Sequence, residues 1–158
     1  MGKYKVCVYA ICKNEEQFVD RWMDSMGEAD QVVVLDTGSE DGTVERLRER
    51  GAQVTQEVID PWRFDTARNR SLELVPEEAD ICVCTDLDEV FHPGWREKLE
   101  RVWGEGVSQA RYRYTWNFRE DGGEGYVFWI EKIHTRRGFC WKHPVHEVVT
   151  WCGAEPQW

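Results

Sequence analysis

Ile81-Cys82-Val83-Cys84-Thr85-Asp86-Leu87-Asp88-Glu89 is the stretch whose reading decides the fold. Its first five residues carry no charge, and the last four bring three carboxylates at once. A short uncharged run of this kind is expected of a strand buried on both faces, as in a parallel sheet covered by helices. The same change from apolar strand to polar loop occurs twice upstream. Lys5–Ile11 (KVCVYAI) leads into Lys13-Asn14-Glu15-Glu16, and Gln31–Leu35 (QVVVL) leads into Asp36-Thr37-Gly38-Ser39-Glu40-Asp41-Gly42-Thr43.

Between these strands lie helical patterns. Asn14 is expected to cap a helix with Glu15 and Glu16 in its first turn, followed by Phe18, Trp22, Met23 and Met26 at helical spacing and a stop at Gly27. Val44 and Leu47 mark a second helix, Ala52–Thr55 a third, short strand, and Thr66–Val75 a helix that Pro76 ends. Pro93 fits the first turn of a helix through Trp103. The order β-α-β-α-β-α-β-α calls for a three-layer α/β/α sandwich with a mainly parallel sheet. Ligands of such open sheets bind at the carboxyl ends of the strands, where the polar loops cluster.

After Gly106 the pattern changes to antiparallel. Ser108–Phe118 reads as a half-exposed strand, Asp121-Gly122-Gly123 as a turn and Tyr126–His134 as its hairpin partner. Gly138 opens another turn before a strand over Val145–Trp151. Five tryptophans fall in this last third: Trp116, Trp129, Trp141, Trp151 and Trp158. Trp116, Trp129 and Trp141 could stack on sugar rings, with core packing the expected role of at least two. No linker or repeat divides the 158 residues, so a single domain is expected, with a ligand-binding half over 1–105 and an antiparallel half over 106–158.

Bulk properties narrow the function. The net charge of −10 argues against sequence-independent nucleic-acid binding. It leaves room for a nucleotide whose diphosphate is carried by a divalent cation. No apolar run approaches the roughly 20 residues of a transmembrane helix, and the short stretch that Lys13 interrupts is too brief for a secretory signal. The six cysteines contain no C-x-x-C pair, which argues against structural zinc. Buried reduced thiols in a cytoplasmic protein are expected, with a disulfide framework as the alternative.

The chemistry-bearing residues gather at the strand ends. Asp86 and Asp88, two apart where a strand gives way to a loop, can approach one hard cation, Mn2+ or Mg2+, and leave positions for phosphate oxygens. An acid such as Asp36 can accept from a ribose hydroxyl or a base N–H, and Gly38 lets backbone approach a ligand. Asp65, Arg68 and Asn69 lie within one helical turn, and Arg68 can pair with a carboxylate of the site or with phosphate. A glycine-rich first loop of the nucleotidyltransferase kind and a G-x-G-x-x-G after strand one are both missing.

In this order, KNEE (Lys13–Glu16), DTGSEDGT (Asp36–Thr43), FDTARN (Phe64–Asn69) and DLDE (Asp86–Glu89) resemble the family 2 glycosyltransferases, and within them a bacterial subgroup. The resemblance runs from residue 5 to about 92, and a weaker match follows at Val145-His146-Glu147. It implies a GT-A fold and transfer of a sugar from a nucleotide donor, usually a UDP-sugar, with inversion at the anomeric carbon. It implies that Glu15 or its neighbours, Lys13 and Asn14 among them, line the uracil pocket, that Asp36 contacts the nucleotide, and that Asp86 binds ribose or metal. Asp88 would bind the metal, and His146 would be a further metal ligand or diphosphate contact. His92, His134 and His143 are expected to be structural. Gly38, Asp65, Arg68 and Asn69 complete the expected donor-binding set.

For catalysis, Asp88 would hold the cation that stabilises the leaving group, and Glu147 is the candidate base, with Asp121 and Glu124 in reserve. The processive Q-x-x-R-W motif is absent, and family members continue past V-H-E where this chain reaches Trp158. A shortened acceptor-side half is therefore expected, with the acceptor a glycan, a lipid-linked glycan or a protein, and a homo-oligomer as one way to complete it. The alternative outside the enzymes is an inactive nucleotide-sugar-binding or interaction module of the same fold.

Overall fold

The computed structural model describes residues 2–153, so Trp158 lies outside the described residues. Strands β1 (Val6–Cys12), β2 (Gln31–Asp36), β3 (Gln53–Gln56) and β4 (Ile81–Cys84) alternate with helices α1 (Val19–Met26), α2 (Thr43–Glu49) and α3 (Phe64–Glu73); α4 (Trp95–Val102) follows β4. Then come β5 (Gln109–Thr115), β6 (Val127–His134), β7 (Phe139–Lys142) and β8 (Val148–Trp151).

Six strands form one sheet in the order β3-β2-β1-β4-β6-β5. The first four are parallel, and β6 runs antiparallel to both β4 and β5. The pairing of Cys82 with His134 and Val83 with Ile133 thus joins the two halves of the chain in one sheet. β7 and β8 make a separate antiparallel pair.

The alternation of β1 sorts two cores. Val6, Val8, Ala10 and Cys12 pack with Trp22 and Met26 of α1, Leu47 of α2 and Leu99 of α4. Cys7 and Tyr9 pack on the other side with Leu72 of α3 and with Phe139, Trp141 and Val149 of the β7–β8 pair. Burying β1, β2 and β4 on both faces explains their unbroken apolar sequence. One outer layer is therefore part helix and part hairpin, where helices alone were expected.

Three buried polar groups link these layers. The Trp141 indole N–H donates to the Tyr9 hydroxyl at 2.9 Å, and that hydroxyl lies 2.6 Å from His134 Nε2. His134 Nδ1 lies 2.7 Å from the Thr135 carbonyl. A proton on Nδ1 satisfies every member, so His134 is a neutral structural histidine. Burial pushes its pKa down to about 4.

Several local expectations are corrected. Asn14 takes a left-handed backbone (φ 53) and does not cap a helix; a single 3-10 turn over Glu16–Phe18 precedes α1. Asp65 is inside α3, whose cap is Arg63, and pairs with that arginine. Pro93 precedes α4, which starts after Gly94 in a left-handed conformation. The strand over Val145–Trp151 begins only at Val148, and β7 takes residues that read as a turn. Cys140 and Cys152 form a disulfide with Cα atoms 6.0 Å apart, because the β7–β8 pairing closes that hairpin. Cys7, Cys12, Cys82 and Cys84 are free and buried. Among the described residues no helix is long and apolar enough to cross a membrane.

Candidate functional site

The loops after β1 and β2 are fastened to each other. The Asn14 N–H donates to Ser39 Oγ at 2.8 Å, and Asn14 Oδ1 accepts the Glu40 N–H at 2.7 Å. The Glu15 N–H donates to Thr43 Oγ1 at 3.0 Å. Asp36 is fully buried and accepts from the N–H groups of Gly38 (3.2 Å) and Ser39 (2.9 Å) and from the Ser39 hydroxyl. That turn needs Gly38, whose φ of 126° is a conformation that L side chains rarely adopt. Asn14 and Asp36 therefore shape the loops.

The loop after β4 is held from α1. The Trp22 indole donates to Thr85 Oγ1 at 2.9 Å, Arg21 donates to the Asp88 carbonyl at 3.0 Å, and Ser25 Oγ accepts the Phe91 N–H at 2.7 Å. Together the three strand ends border a cavity of about 280 Å3. Lys13 and Glu15 line it from the first loop, Thr37 from the second, Asp86 and Asp88 from the third, and Trp62, Phe64 and Arg68 from the α3 side.

Arg68 organises the cavity floor. It is 5% exposed, donates from Nη2 to Asp86 Oδ1 at 2.6 Å and from Nε to Glu147 Oε1 at 3.2 Å, and lies over the Trp141 ring at 5.3 Å. Asn69, one residue on, faces away: its side chain binds both backbone groups of Trp141. Of the helical trio read from sequence, only Arg68 reaches the cavity.

Asp86, Asp88 and Glu89 each offer an oxygen, all within 4.8 Å of one another. An all-oxygen carboxylate set suits a hard divalent cation. Glu89 also has an oxygen, Oε2, that is buried with no hydrogen-bond partner among the described residues, which is costly unless a group such as a cation satisfies it. With all ionised, Asp86, Asp88, Glu89 and Glu147 outweigh Arg68 and Lys132 by two charges. The residues present therefore fit Mn2+ or Mg2+. His146 is exposed, has a positive φ of 57° and is outside this trio.

The electrostatics follow from burial and neighbours. Burial raises the Asp86 carboxyl, but Arg68 and Lys132 outweigh it and hold the group below its ordinary range. Burial also opposes charge on Lys132, but Glu89 and Asp86 keep its ammonium above its usual value. At Glu15 the balance goes the other way: burial, then the Asp86 and Asp88 charges, outweigh the lowering effect of Arg68 and push it up to about 7.

Sequence reading had not assigned Trp62, Thr37, Glu89 or Lys132 to the site. Glu89 stood in a quoted motif, and Trp62 stood in a loop just before a motif helix. Lys132 had no local signal. The reserve bases lie in the β5–β6 connection, where Glu124 pairs with Arg113 and Asp121 accepts the Gly123 N–H.

Solved structures of glucosyl-3-phosphoglycerate synthase from Mycobacterium tuberculosis are similar to this chain. The complex with Mn2+, uridine diphosphate (UDP) and glucosyl-3-phosphoglycerate has a TM-score of 0.55 and 28% identity, covering 68% of this chain and 43% of that one. The complex with Mn2+, UDP-glucose and phosphoglyceric acid has a TM-score of 0.55 and 28% identity, covering 68% and 42%. The complex with Mg2+ and UDP has a TM-score of 0.55 and 27% identity, with the same coverage of 68% and 42%. This chain spans less than half the length of those structures. The mixed, mainly parallel α/β sheet matches the GT-A architecture of these neighbours. Residues 7–154 match the profile described as Glycosyl transferase family 2, and the chain belongs to that family.

Proposed function

We propose that this chain is a glycosyltransferase domain that moves a sugar from a UDP-sugar to an acceptor hydroxyl, with a divalent cation and with inversion. The observation that carries the reading is the cavity in which Lys13, Glu15 and Thr37 meet Asp86 and Asp88 at the strand ends. Its volume of about 280 Å3 is close to the lower end, roughly 300 Å3, of small-molecule sites. Similar structures hold UDP or UDP-glucose with Mn2+ or Mg2+, which supports the choice of donor and ion.

In this reading the nucleoside lies between Lys13, Glu15 and Thr37 on one side and Trp62 and Phe64 on the other. Asp86 and Asp88 would hold the ion, whose positive charge would stabilise the departing diphosphate. Arg68 fixes Asp86 in place. His146 is assigned to the diphosphate. Glu147 is the proposed base: it takes the acceptor hydroxyl proton while the acceptor oxygen bonds to the anomeric carbon. The bond from that carbon to the diphosphate oxygen breaks, and UDP leaves with the electron pair. The acceptor is a hydroxyl of a glycan, a lipid-linked glycan or a protein.

UDP release from a panel of UDP-sugars, with Mn2+ or with a chelator, tests the reading. Metal-dependent release from at least one sugar is expected. Binding of UDP without release from any of them would establish the inactive binding module instead.

A further inference from the structure

One carboxylate of the loop after β4 has no role in the reaction above. Glu89 is 7% exposed. Its Oε1 accepts the Asp86 N–H at 2.9 Å and the Lys132 ammonium at 2.8 Å. Its Oε2 is buried without a hydrogen-bond partner among the described residues, yet Glu89 belongs to the trio of oxygens within 4.8 Å.

Lys132 comes from β6, in the antiparallel half. It reaches this loop because β6 pairs beside β4, with Val83 opposite Ile133. A lysine beside a divalent-ion site is unfavourable by charge alone, since like charges repel. Its place there needs a different explanation, and the hydrogen-bond geometry supplies one.

We propose that Lys132 and Glu89 form a positioning pair for the cation-binding turn. Lys132 fixes one Glu89 oxygen, that oxygen fixes the Asp86 N–H, and the other Glu89 oxygen is left open to the ion. The chain of contacts makes the antiparallel half part of the metal site without touching the donor. This inference rests on the metal-dependent reading.

Positioning and bare electrostatics give opposite signs, so one experiment separates them. Free Mn2+ is measured by electron paramagnetic resonance during titration of the metal-free full chain with UDP present. Wild type is compared with Lys132→Met, Lys132→Arg and the double variant Glu89→Gln/Lys132→Met, each checked for folding by circular dichroism. Removing residues that orient metal ligands typically costs about 10–100-fold in affinity. Lys132→Met is therefore expected to bind Mn2+ at least about tenfold more weakly, and Lys132→Arg to restore most of the loss. The double variant leaves the net charge unchanged, so a purely electrostatic account expects wild-type affinity, and positioning expects a similar loss. If Lys132→Met does not fold, the double variant decides. Mn2+ binding by either folded variant that equals or exceeds wild type overturns the pair and leaves the metal reading intact. Absence of Mn2+ binding by wild type overturns both.

Discussion

Arg68 and Asp86 are joined across the cavity floor by a 2.6 Å contact, although they come from α3 and from the loop after β4. The same guanidinium holds Glu147, so a single buried cation sets two of the acids at the site. Arg68→Ala leaves both carboxylates facing each other. Breaking a buried ion pair costs roughly 3–5 kcal/mol, and the Asp86 side chain is 39% open to the cavity. A loss of about 2–3 kcal/mol in chemical denaturation is expected. Arg68→Lys keeps the charge but cannot reach both acids in the same plane, and should lose UDP affinity as well. Wild-type stability in Arg68→Ala would contradict the organising role.

Asp88 behaves in the opposite way. Its backbone carbonyl is held by Arg21, but no hydrogen bond to its carboxylate forms among the described residues. Asp88→Ala is expected to change stability by no more than about 0.5 kcal/mol. Turnover should fall roughly 10²–10³-fold, the scale of losing one electrostatic stabiliser of a leaving group. A thermal melt and a UDP-release assay on the same sample check both halves of the expectation.

His134 predicts an acid-labile term. Its pKa of about 4 in the fold is below the unfolded value of 6.5, so the unfolded chain binds the extra proton between those limits. Its contribution is complete above pH 6.5 and is lost as pH falls toward 4. The slope approaches about 1.4 kcal/mol per pH unit for one proton. Denaturation of wild type and His134→Asn at a series of pH values should converge on acidification. A constant difference between them would mean that His134 does not titrate this way.

Glu15 has the reverse sign. Its pKa of about 7 exceeds the ordinary 4.5, so the folded chain binds the proton more tightly than the unfolded one. Without metal, stability from this group falls as pH rises from about 4.5 to 7, and Glu15→Gln removes that fall. A cation between Asp86 and Asp88 screens the two charges that raise Glu15, so Mn2+ binding near pH 6.5 should release protons. Calorimetry in buffers of different ionisation enthalpy measures that release, and its absence would contradict the assignment.

The parallel half was legible because its strands are buried on both sides. Lys5–Ile11 and Ile81–Thr85 have almost no polar residue, and the loops after them carry the acids, so strand ends and cavity were readable together. Short-range geometry was harder. Asn14 is a good helix cap by type, but here it accepts the N–H of Glu40 in the neighbouring loop, whereas Asp41 accepts the N–H of Thr43, the first residue of α2. The sequence does not show that the Asp36 oxygens accept from the N–H groups of Gly38 and Ser39 and close their own turn. Four-residue β7 was hidden because Phe139–Lys142 shows no alternation long enough to separate it from a turn. Lys132 was invisible for a stronger reason: its partner, Glu89, is 43 residues away and meets it only through the β4–β6 pairing.

Diffraction from a crystal soaked with UDP and Mn2+, collected at a wavelength where manganese scatters anomalously, tests the central claim most directly. A single strong anomalous peak is expected within bonding distance of Asp88 and a diphosphate oxygen, with the base in the cavity beside Glu15. A peak elsewhere on the chain, or UDP bound away from Asp86 and Asp88, would contradict it.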